Sequence, residues 1–302
     1  MNLKKILSIL LIVAAMPALA QEDDLMNLFG DEETVDYTYA TFKSTRIIKG
    51  QSIENPAKGN LLFVVSHQFG RVNSGAYEFF GLDQATIHLG FEYGFTNRLT
   101  LGIGRSSLKK TFDGFLKYKL LRQSTGARVM PISVSYWGNA IINSLRWQNP
   151  ERENYFSSRM QFAHQLLIAR KFSNSISLQL TPTYIHRNLV ETVQDQNDVF
   201  AIGAGGRFKI TQRMSINAEY FYLLPGETAD QYKNALALSL DIETGGHVFQ
   251  LFFSNSAGMI EEYFIAETTG DWFGGDIHFG FNINRTFVIQ KPKNFKEEEQ
   301  KW

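Results

Sequence analysis

Apolar and polar residues alternate with a period of two along almost the whole chain from Asn60 onward. Successive side chains of a β-strand point to opposite faces, so this alternation predicts strands with one apolar and one polar face. Residues 84–95 are an example, because every second position is apolar and the positions between them are polar or Gly. About twelve such segments follow one another, each close to the roughly 9–11 residues that a tilted strand needs to cross a bilayer.

Three of the connections between these segments share one local pattern. An apolar residue is followed by Ser or Thr, an amide residue, a polar residue and a second apolar residue, at positions 95–99, 172–176 and 210–214. A short polar turn between two alternating segments is a β-hairpin signal. Because the two apolar residues are four positions apart, they remain on the same face of the sheet.

The connections also alternate in length along the chain. Short turns at 96–97, 173–174, 211–212 and 244–246 are separated by longer stretches, and 122–130 is the exception because it is too long for a tight turn. Short periplasmic turns that alternate with longer extracellular loops are typical of bacterial outer-membrane barrels. The sequence therefore predicts an all-β fold, a closed antiparallel transmembrane β-barrel of about twelve strands.

The N-terminus has the order of a secretory signal peptide. Lys4 and Lys5 precede an apolar stretch, and Ala18-Leu19-Ala20, with a small residue at its first and last positions, comes directly before the expected cleavage site. The apolar stretch is too short to cross a bilayer as a helix. We therefore expect residues 1–20 to be removed and the mature barrel to lie in the outer membrane of a Gram-negative bacterium.

The mature chain divides into three parts. Residues 21–59 begin with an acidic stretch that has no basic side chain before residue 41, so we expect a flexible segment and a candidate plug for the lumen. Residues 60–289 form the predicted transmembrane barrel, and residues 290–302 form a charged C-terminal tail.

Composition excludes several classes of function. A Cys count of 0 excludes disulfides, thiolate metal sites and Cys nucleophiles. A formal net charge of +0 gives no argument for binding nucleic acid. The expected partners are outer-membrane lipid, a small solute and, as an alternative, a periplasmic protein. An aromatic content of 14% suits the interfacial girdles of a membrane barrel.

Charged side chains of both signs lie on the polar faces of the predicted strands. A basic side chain that faces lipid at the bilayer midplane costs roughly 2–4 kcal/mol, so we expect these faces to line the lumen. The candidate lumen-lining residues are His88, Glu92, Asp113, Lys117, Lys119, Arg159, Gln161, Gln165, Arg207, Lys209, Glu219, Asp241, Glu243, His278 and Asn282.

None of these residues forms a recognisable catalytic or metal-binding motif. Barrel closure brings the strands of His88 and His278 together, and we interpret the pair as hydrogen-bonded lumen histidines rather than metal ligands. No His in the chain is followed by Ser two positions later, the spacing that a barrel lipid hydrolase would need. Asp241 and Glu243 are expected at the wet periplasmic rim. No catalytic residue and no cofactor is predicted.

Six stretches resemble an uncharacterised Bacteroidota outer-membrane β-barrel family known only as a domain of unknown function. They are residues 41–46, 75–94, 114–126, 149–159, 241–250 and 275–285. The resemblance implies the barrel fold and the outer-membrane location. It implies no activity and carries over no functional residue.

Three functions are compatible with this sequence. The first is a porin-like channel or transporter for small solutes, because the predicted interior is polar and carries both signs of charge. The second is a non-catalytic barrel that binds a periplasmic partner through the N-terminal segment or the tail. The third is an outer-membrane lipid-modifying enzyme, which the missing His-x-Ser spacing disfavours.

Overall fold

The structure is a computed structural model that describes residues 34–226 and 228–291. The predicted signal peptide, residues 21–33 of the N-terminal segment and residues 292–302 of the tail lie outside the described residues.

Twelve antiparallel strands close into one barrel within the described part of the chain. They are β1 (Asn60–Arg71), β2 (Ala85–Gly94), β3 (Leu99–Ser106), β4 (Thr111–Leu121), β5 (Ser133–Asn143), β6 (Met160–Lys171), β7 (Ile176–Arg187), β8 (Asp198–Lys209), β9 (Met214–Leu223), β10 (Ala235–Thr244), β11 (His247–Ser254) and β12 (His278–Val288). Each strand pairs with its neighbours in sequence, and β12 pairs with β1 to close the barrel. The predicted fold is confirmed.

The remaining regular elements are short. The helix α1 (Glu261–Ala266) lies in the connection between β11 and β12. Single 3₁₀ turns are Val72–Ser74, Ala76–Gly81, Leu108–Lys110 and Phe156–Arg159. No helix in residues 34–226 and 228–291 is long and apolar enough to cross a bilayer.

The unusually long connection after β4 has a structural explanation. Its residues Ser124–Gly126 pair with Val35–Tyr37 in a separate antiparallel two-stranded sheet. The connection therefore supplies a partner strand for the chain that leads into the barrel. A tight turn is too short to supply such a strand.

The three repeated turn sequences are closed by the hydroxyl of their Ser or Thr. Thr96 Oγ1 accepts hydrogen bonds from the backbone N–H groups of Arg98 (3.1 Å) and Leu99 (2.9 Å). Ser173 and Thr211 make the same two bonds in their own turns. These bonds satisfy backbone donors that the strand ladder leaves free, which explains why the hydroxyl residue recurs at this position.

The two ends of the barrel differ. Four of the short turns, at 95–98, 172–175, 210–213 and 245–246, lie at the end where the first strand begins and the last strand finishes; we call this the short-turn end. The other end carries the long connections, of which 255–277 is the longest, and we call it the long-loop end.

Alternation along each strand separates an apolar outer face from a mixed inner face. On β11, outward-facing Leu251 is 42% exposed while its neighbour Gln250 is 1% exposed. The inner face is less polar than the sequence pattern predicts, because it also carries large apolar side chains. These side chains join one core inside the barrel: Phe115, Trp137, Leu167, Ile185, Phe221 and Phe252.

We expect Leu251→Lys to lower the free energy of unfolding in lipid vesicles by about 2–4 kcal/mol, because the ammonium would face hydrocarbon. Urea titration of the barrel in vesicles measures this change. The control is Leu189→Lys in the loop between β7 and β8, where the side chain is already 58% exposed. Equal destabilisation by both substitutions would contradict a lipid-facing outer surface.

Candidate functional site

The lumen contains part of the chain that precedes the first barrel strand. Residues 41–54, which we call the lumen segment, enter the barrel, and residues 41–53 are buried apart from half-buried Lys43. The segment folds back on itself, since the N–H of Ile47 donates to the carbonyl of Gly50 (2.8 Å) and the N–H of Ser52 to that of Thr45 (2.9 Å). A compact turn with its tip at residues 47–50 results.

A carboxylate on the barrel wall binds the tip of this turn. The side chain of Glu219 on β9 accepts hydrogen bonds from three consecutive backbone N–H groups, those of Ile48 (3.2 Å), Lys49 (3.0 Å) and Gly50 (3.1 Å). Successive N–H groups that converge in this way form a concave anion site. Here the anion is a side chain of the wall, so the turn and β9 are held together by charge-assisted bonds.

A lysine on the barrel wall, opposite in charge to Glu219, binds the base of the turn. The ammonium of Lys117 on β4 donates to the carbonyls of Thr45 (3.2 Å), Ser52 (3.1 Å) and Glu54 (3.0 Å). One ammonium has three donors, and these three carbonyls use all of them. Lys117 therefore fixes the two arms of the turn to each other and to the wall.

Amide side chains of the wall bind further carbonyls of the segment. Gln250 donates to Ile47 (2.6 Å) and Asn282 donates to Ile48 (2.8 Å). Gln179 on β7 donates to a third segment carbonyl at 2.8 Å. The wall thus recognises mainly the backbone of the lumen segment, and these contacts come from β4, β7, β9, β11 and β12.

Glycines on the inner face leave room for the segment. A Cβ on Gly205 would lie 2.4 Å from Cδ1 of Ile47 in the segment, and one on Gly94 would lie 2.4 Å from the carbonyl oxygen of Ala57 in the connection that joins the segment to β1. Contacts this short would force the backbone or its neighbour to move, so the wall is shaped around the chain inside it.

The lumen is also filled from the long-loop end. The connection 255–277, which we call the inward loop, folds into the barrel over its first part, and every residue of its helix α1 is buried. Asn139 on β5 donates to both carboxylate oxygens of Glu262 (3.2 Å each), and the hydroxyls of Tyr263 and Thr111 are 2.8 Å apart.

The inward loop is fastened at the long-loop end by one lysine. The ammonium of Lys109 lies 2.6 Å from a carboxylate oxygen of Glu267 and 3.0 Å from one of Glu191. It also lies 4.9 Å from the ring centre of Tyr263. Burial disfavours the ammonium, but the two carboxylates outweigh burial and raise the pKa of Lys109.

Two neighbouring acids of α1 titrate above their usual range. Burial raises the pKa of Glu261 to about 7, and the nearby Arg46 only partly opposes this. Burial and the adjacent Glu261 carboxylate raise the pKa of Glu262 well above its ordinary value. Both groups therefore hold protons more readily when α1 is buried than when it is exposed to water.

We expect the buried position of α1 to weaken as the pH rises from about 4.5 to about 7, because over that range an exposed Glu261 carboxyl loses its proton while the buried one, with its raised pKa, still holds it. Hydrogen exchange of the α1 amides, corrected for intrinsic rates, should be slower at pH 5 than at pH 8. Glu262→Gln removes one titrating group and should reduce this difference, while Glu78→Gln in an exposed loop should leave it unchanged. The same pH difference in both variants would contradict the assignment.

Most of the predicted lumen-lining residues point into the barrel. Those with buried side chains are His88, Glu92, Asp113, Lys117, Gln161, Gln165, Arg207, Glu219, Asp241, His278 and Asn282. Lys119, Lys209 and Glu243 are half-buried near the short-turn end, and Lys43 of the lumen segment forms an ion pair with Glu243.

Arg159 has a different environment from the rest of the predicted set. It belongs to the 3₁₀ turn before β6 at the long-loop end, where its guanidinium donates to the carbonyls of Asn143 (2.8 Å) and Leu145 (2.5 Å). The same group lies 3.7 Å from the ring centre of Trp147. It orders a loop, because these contacts are with the last residue of β5 and with the connection that follows it.

The prediction that Asp241 lies at a wet rim was wrong. Its side chain is buried and accepts hydrogen bonds from Gln250 (2.7 Å) and Ser239 (3.1 Å). The lumen segment covers this part of the wall, so a position close to the strand end is nevertheless shielded from water.

The two lumen histidines have separate partners. His88 is hydrogen-bonded to Asp113 (2.9 Å), and Nδ1 of His278 is 2.9 Å from the carbonyl oxygen of Phe69. Among the described residues no group of three or more His, Cys, Asp or Glu side chains is arranged to hold a metal ion.

Sequence reasoning named residues 21–59 as a candidate plug but missed the individual charged side chains that fill the barrel. Arg46, Lys49, Glu261 and Glu262 are buried charged side chains outside the strands, so the period of two gives them no signal. The only sequence signal for their burial was the pair Glu261 and Glu262, which lies within the otherwise apolar stretch 257–266 of a long loop.

Comparison with known proteins places this barrel among membrane proteins. The sequence profile of a family described as "Membrane bound beta barrel domain (DUF5777)" matches residues 42–287. No curated protein matches the sequence.

The solved structures that are similar share only the fold. A KdgM porin in complex with disordered oligogalacturonate is 8% identical, with a TM-score of 0.47 over 76% of this chain and 99% of that one. The COG4313 outer membrane channel from Pseudomonas putida F1 is 13% identical, with a TM-score of 0.46 over 78% and 98%. The Acinetobacter baumannii outer membrane protein Omp33 is 8% identical, with a TM-score of 0.43 over 76% and 99%.

Proposed function

Because the chain belongs to the membrane-bound β-barrel domain family (DUF5777), we propose that it is an outer-membrane channel for small solutes. In the state described here the lumen segment and the inward loop close the channel. The short-turn end faces the periplasm and the long-loop end faces the outside, as in other outer-membrane barrels.

The observation that carries this proposal is the polar contact between the wall and the lumen segment. Apolar side chains would stabilise a permanently filled barrel at least as well as charged ones, since buried ion pairs contribute little more than well-packed apolar groups. Here Glu219, Lys117 and Gln179 hold the segment through hydrogen bonds instead. When the segment leaves, water can replace those bonds, and the exposed wall becomes a charged aqueous pore.

The strand number supports the same function. A barrel of eight strands encloses little more than side chains, while one of sixteen or more leaves an aqueous channel. Twelve strands lie between these limits and enclose enough space for a folded segment. A narrow pore therefore opens only when that segment is displaced.

Conductance in planar bilayers tests the proposal. The intact chain should remain closed for most of the recording, and removal of both fillings should produce reproducible steps. A bilayer that stays silent after both are removed, although the barrel is folded, would contradict a channel function.

A second candidate function is the binding of a periplasmic protein. The sheet of Val35–Tyr37 and Ser124–Gly126 stands apart from the barrel strands, the guanidinium of Arg122 lies 3.9 Å from the ring centre of Tyr37, and Tyr39 is 70% exposed. Such an ordered, accessible element suits a docking role. Loss of a co-purifying periplasmic protein on deletion of residues 21–40, with unchanged conductance, would favour this function.

We propose no enzymatic activity. Within residues 34–226 and 228–291 no Ser hydroxyl is hydrogen-bonded to a His, and the outward-facing His164 and His186 bond to Tyr136 and Asp198. Turnover of phospholipid or lipopolysaccharide by the purified barrel would overturn this statement.

A further inference from the structure

The lumen segment and the inward loop touch each other inside the barrel. The ammonium of Lys49 donates to the carbonyls of Ser256 (2.5 Å) and Gly258 (2.8 Å) at the start of the inward loop. The guanidinium of Arg46 lies 3.8 Å from a carboxylate oxygen of Glu261, and both side chains are buried. Two charged side chains of the segment therefore have their partners on the loop.

Apolar contacts continue the same junction. Ile47 and Ile48 at the tip of the segment belong to one buried cluster with Phe264 and Ile265 of α1. The two fillings thus form a single column, with the lumen segment entering from the short-turn end and the inward loop from the long-loop end.

We propose that the inward loop controls the release of the lumen segment, so that an event at the extracellular face opens the barrel toward the periplasm. This inference rests on the proposed channel function and assigns its regulation. Lys109 is the residue through which release begins, because its ammonium joins Glu267 of the inward loop to Glu191 of a neighbouring loop.

The physical reason is the position of the charges. If the inward loop moves outward, Lys49 loses both carbonyl acceptors and Arg46 loses Glu261. Buried charged groups that lose partners are strongly unfavourable, whereas Glu219 and Lys117 of the wall can exchange their bonds to the segment for bonds to water once the segment leaves. The segment then gains more by moving into water than by remaining against the wall.

Coupling of this kind must act in both directions. Removal of the segment must loosen the inward loop by the same factor as removal of the loop loosens the segment, because the two effects share one coupling free energy. Exposure of the lumen segment and exposure of the inward loop can therefore be measured separately, each after a change to the other.

The absence of Cys from the chain allows a direct test by thiol labelling. Ser52→Cys places one thiol in the lumen segment, and Ala266→Cys places one in α1; both positions are fully buried. Labelling by a membrane-impermeant maleimide in reconstituted vesicles then reports how often each filling is exposed. Retained heat-dependent migration on gels shows that every variant still forms the barrel.

Lys109→Met should raise the labelling rate at position 52 by about tenfold, within the range of ordinary allosteric coupling. Lys110→Met is the matched control, because its side chain is exposed at the adjacent position and its backbone has the same left-handed conformation. Deletion of residues 21–54 should raise labelling at position 266 by a similar factor.

Replacement of residues 257–268 by a short Gly-Ser linker removes α1 and most of the buried part of the inward loop, and it must expose position 52. Unchanged labelling at position 52 in this variant would overturn the proposal, even if Lys109→Met alone proved too mild. Labelling does not depend on conduction. A folded, emptied barrel that does not conduct would therefore refute the channel function without affecting the coupling. Conductance of the emptied barrel with unchanged labelling at position 52 would refute the coupling without affecting the channel function.

Discussion

A variant that lacks residues 21–54 and carries a short linker in place of residues 257–268 is expected to conduct ions at least about tenfold better than the intact chain, since a barrel of intermediate strand number is closed only by what fills it. The two deletions together remove the column that joins both ends of the barrel. Each single deletion leaves part of that column, so the double variant should show the largest steps in planar bilayers.

The control for this experiment is a loop that does not enter the lumen. Replacement of residues 144–156 by the same linker shortens the connection between β5 and β6 and should leave the conductance of the intact chain unchanged. Equal conductance in the control and in the double variant would mean that current flows through damaged barrels rather than through the emptied lumen.

Glu219→Ala is expected to release the tip of the lumen segment. The substitution leaves the N–H groups of Ile48, Lys49 and Gly50 without their acceptor. It also removes a carboxylate that interacts electrostatically with the Lys49 ammonium. Removal of one partner from a buried charged network costs about 3–5 kcal/mol. Since each 1.4 kcal/mol is a factor of ten, hydrogen exchange at these amides should accelerate at least about a hundredfold.

A matched acid at the rim separates this effect from a general loss of charge. Glu243 forms an ion pair with Lys43, but its side chain is 41% exposed. Exposed pairs contribute about 0–1 kcal/mol, so Glu243→Ala should change exchange at the tip by less than about tenfold. Equal protection of the tip amides in Glu219→Ala and the intact chain would show that the wall carboxylate does not hold the segment.

The barrel itself could be predicted because its causes are local. A side-chain period of two follows from strand geometry alone, and a lipid-facing surface requires apolar residues at every second position. The turns at Thr96, Ser173 and Thr211 are likewise local, since each hydroxyl closes its own turn within three residues. Strand number and closure followed from these patterns.

The contacts that hold the filling in the lumen could not be predicted in the same way. The wall binds the lumen segment mostly through backbone carbonyls and N–H groups, which every sequence possesses. Inward-facing apolar residues such as Trp137 and Leu167 interrupt the expected polar face because they pack on a core that only the folded chain assembles. The burial of Asp241 has the same origin, since the shielding chain is remote in sequence.

The order of residues by itself therefore determined a twelve-stranded antiparallel barrel, its apolar exterior and its hydroxyl-closed turns. Only the tertiary structure decided what occupies the interior and that a column of Lys49, Arg46 and Glu261 joins the two ends. The physical reason is the range of the interactions. Strand alternation acts between neighbouring residues, whereas the contacts inside the barrel join positions remote in sequence, such as Lys49 and Gly258, which are 209 residues apart.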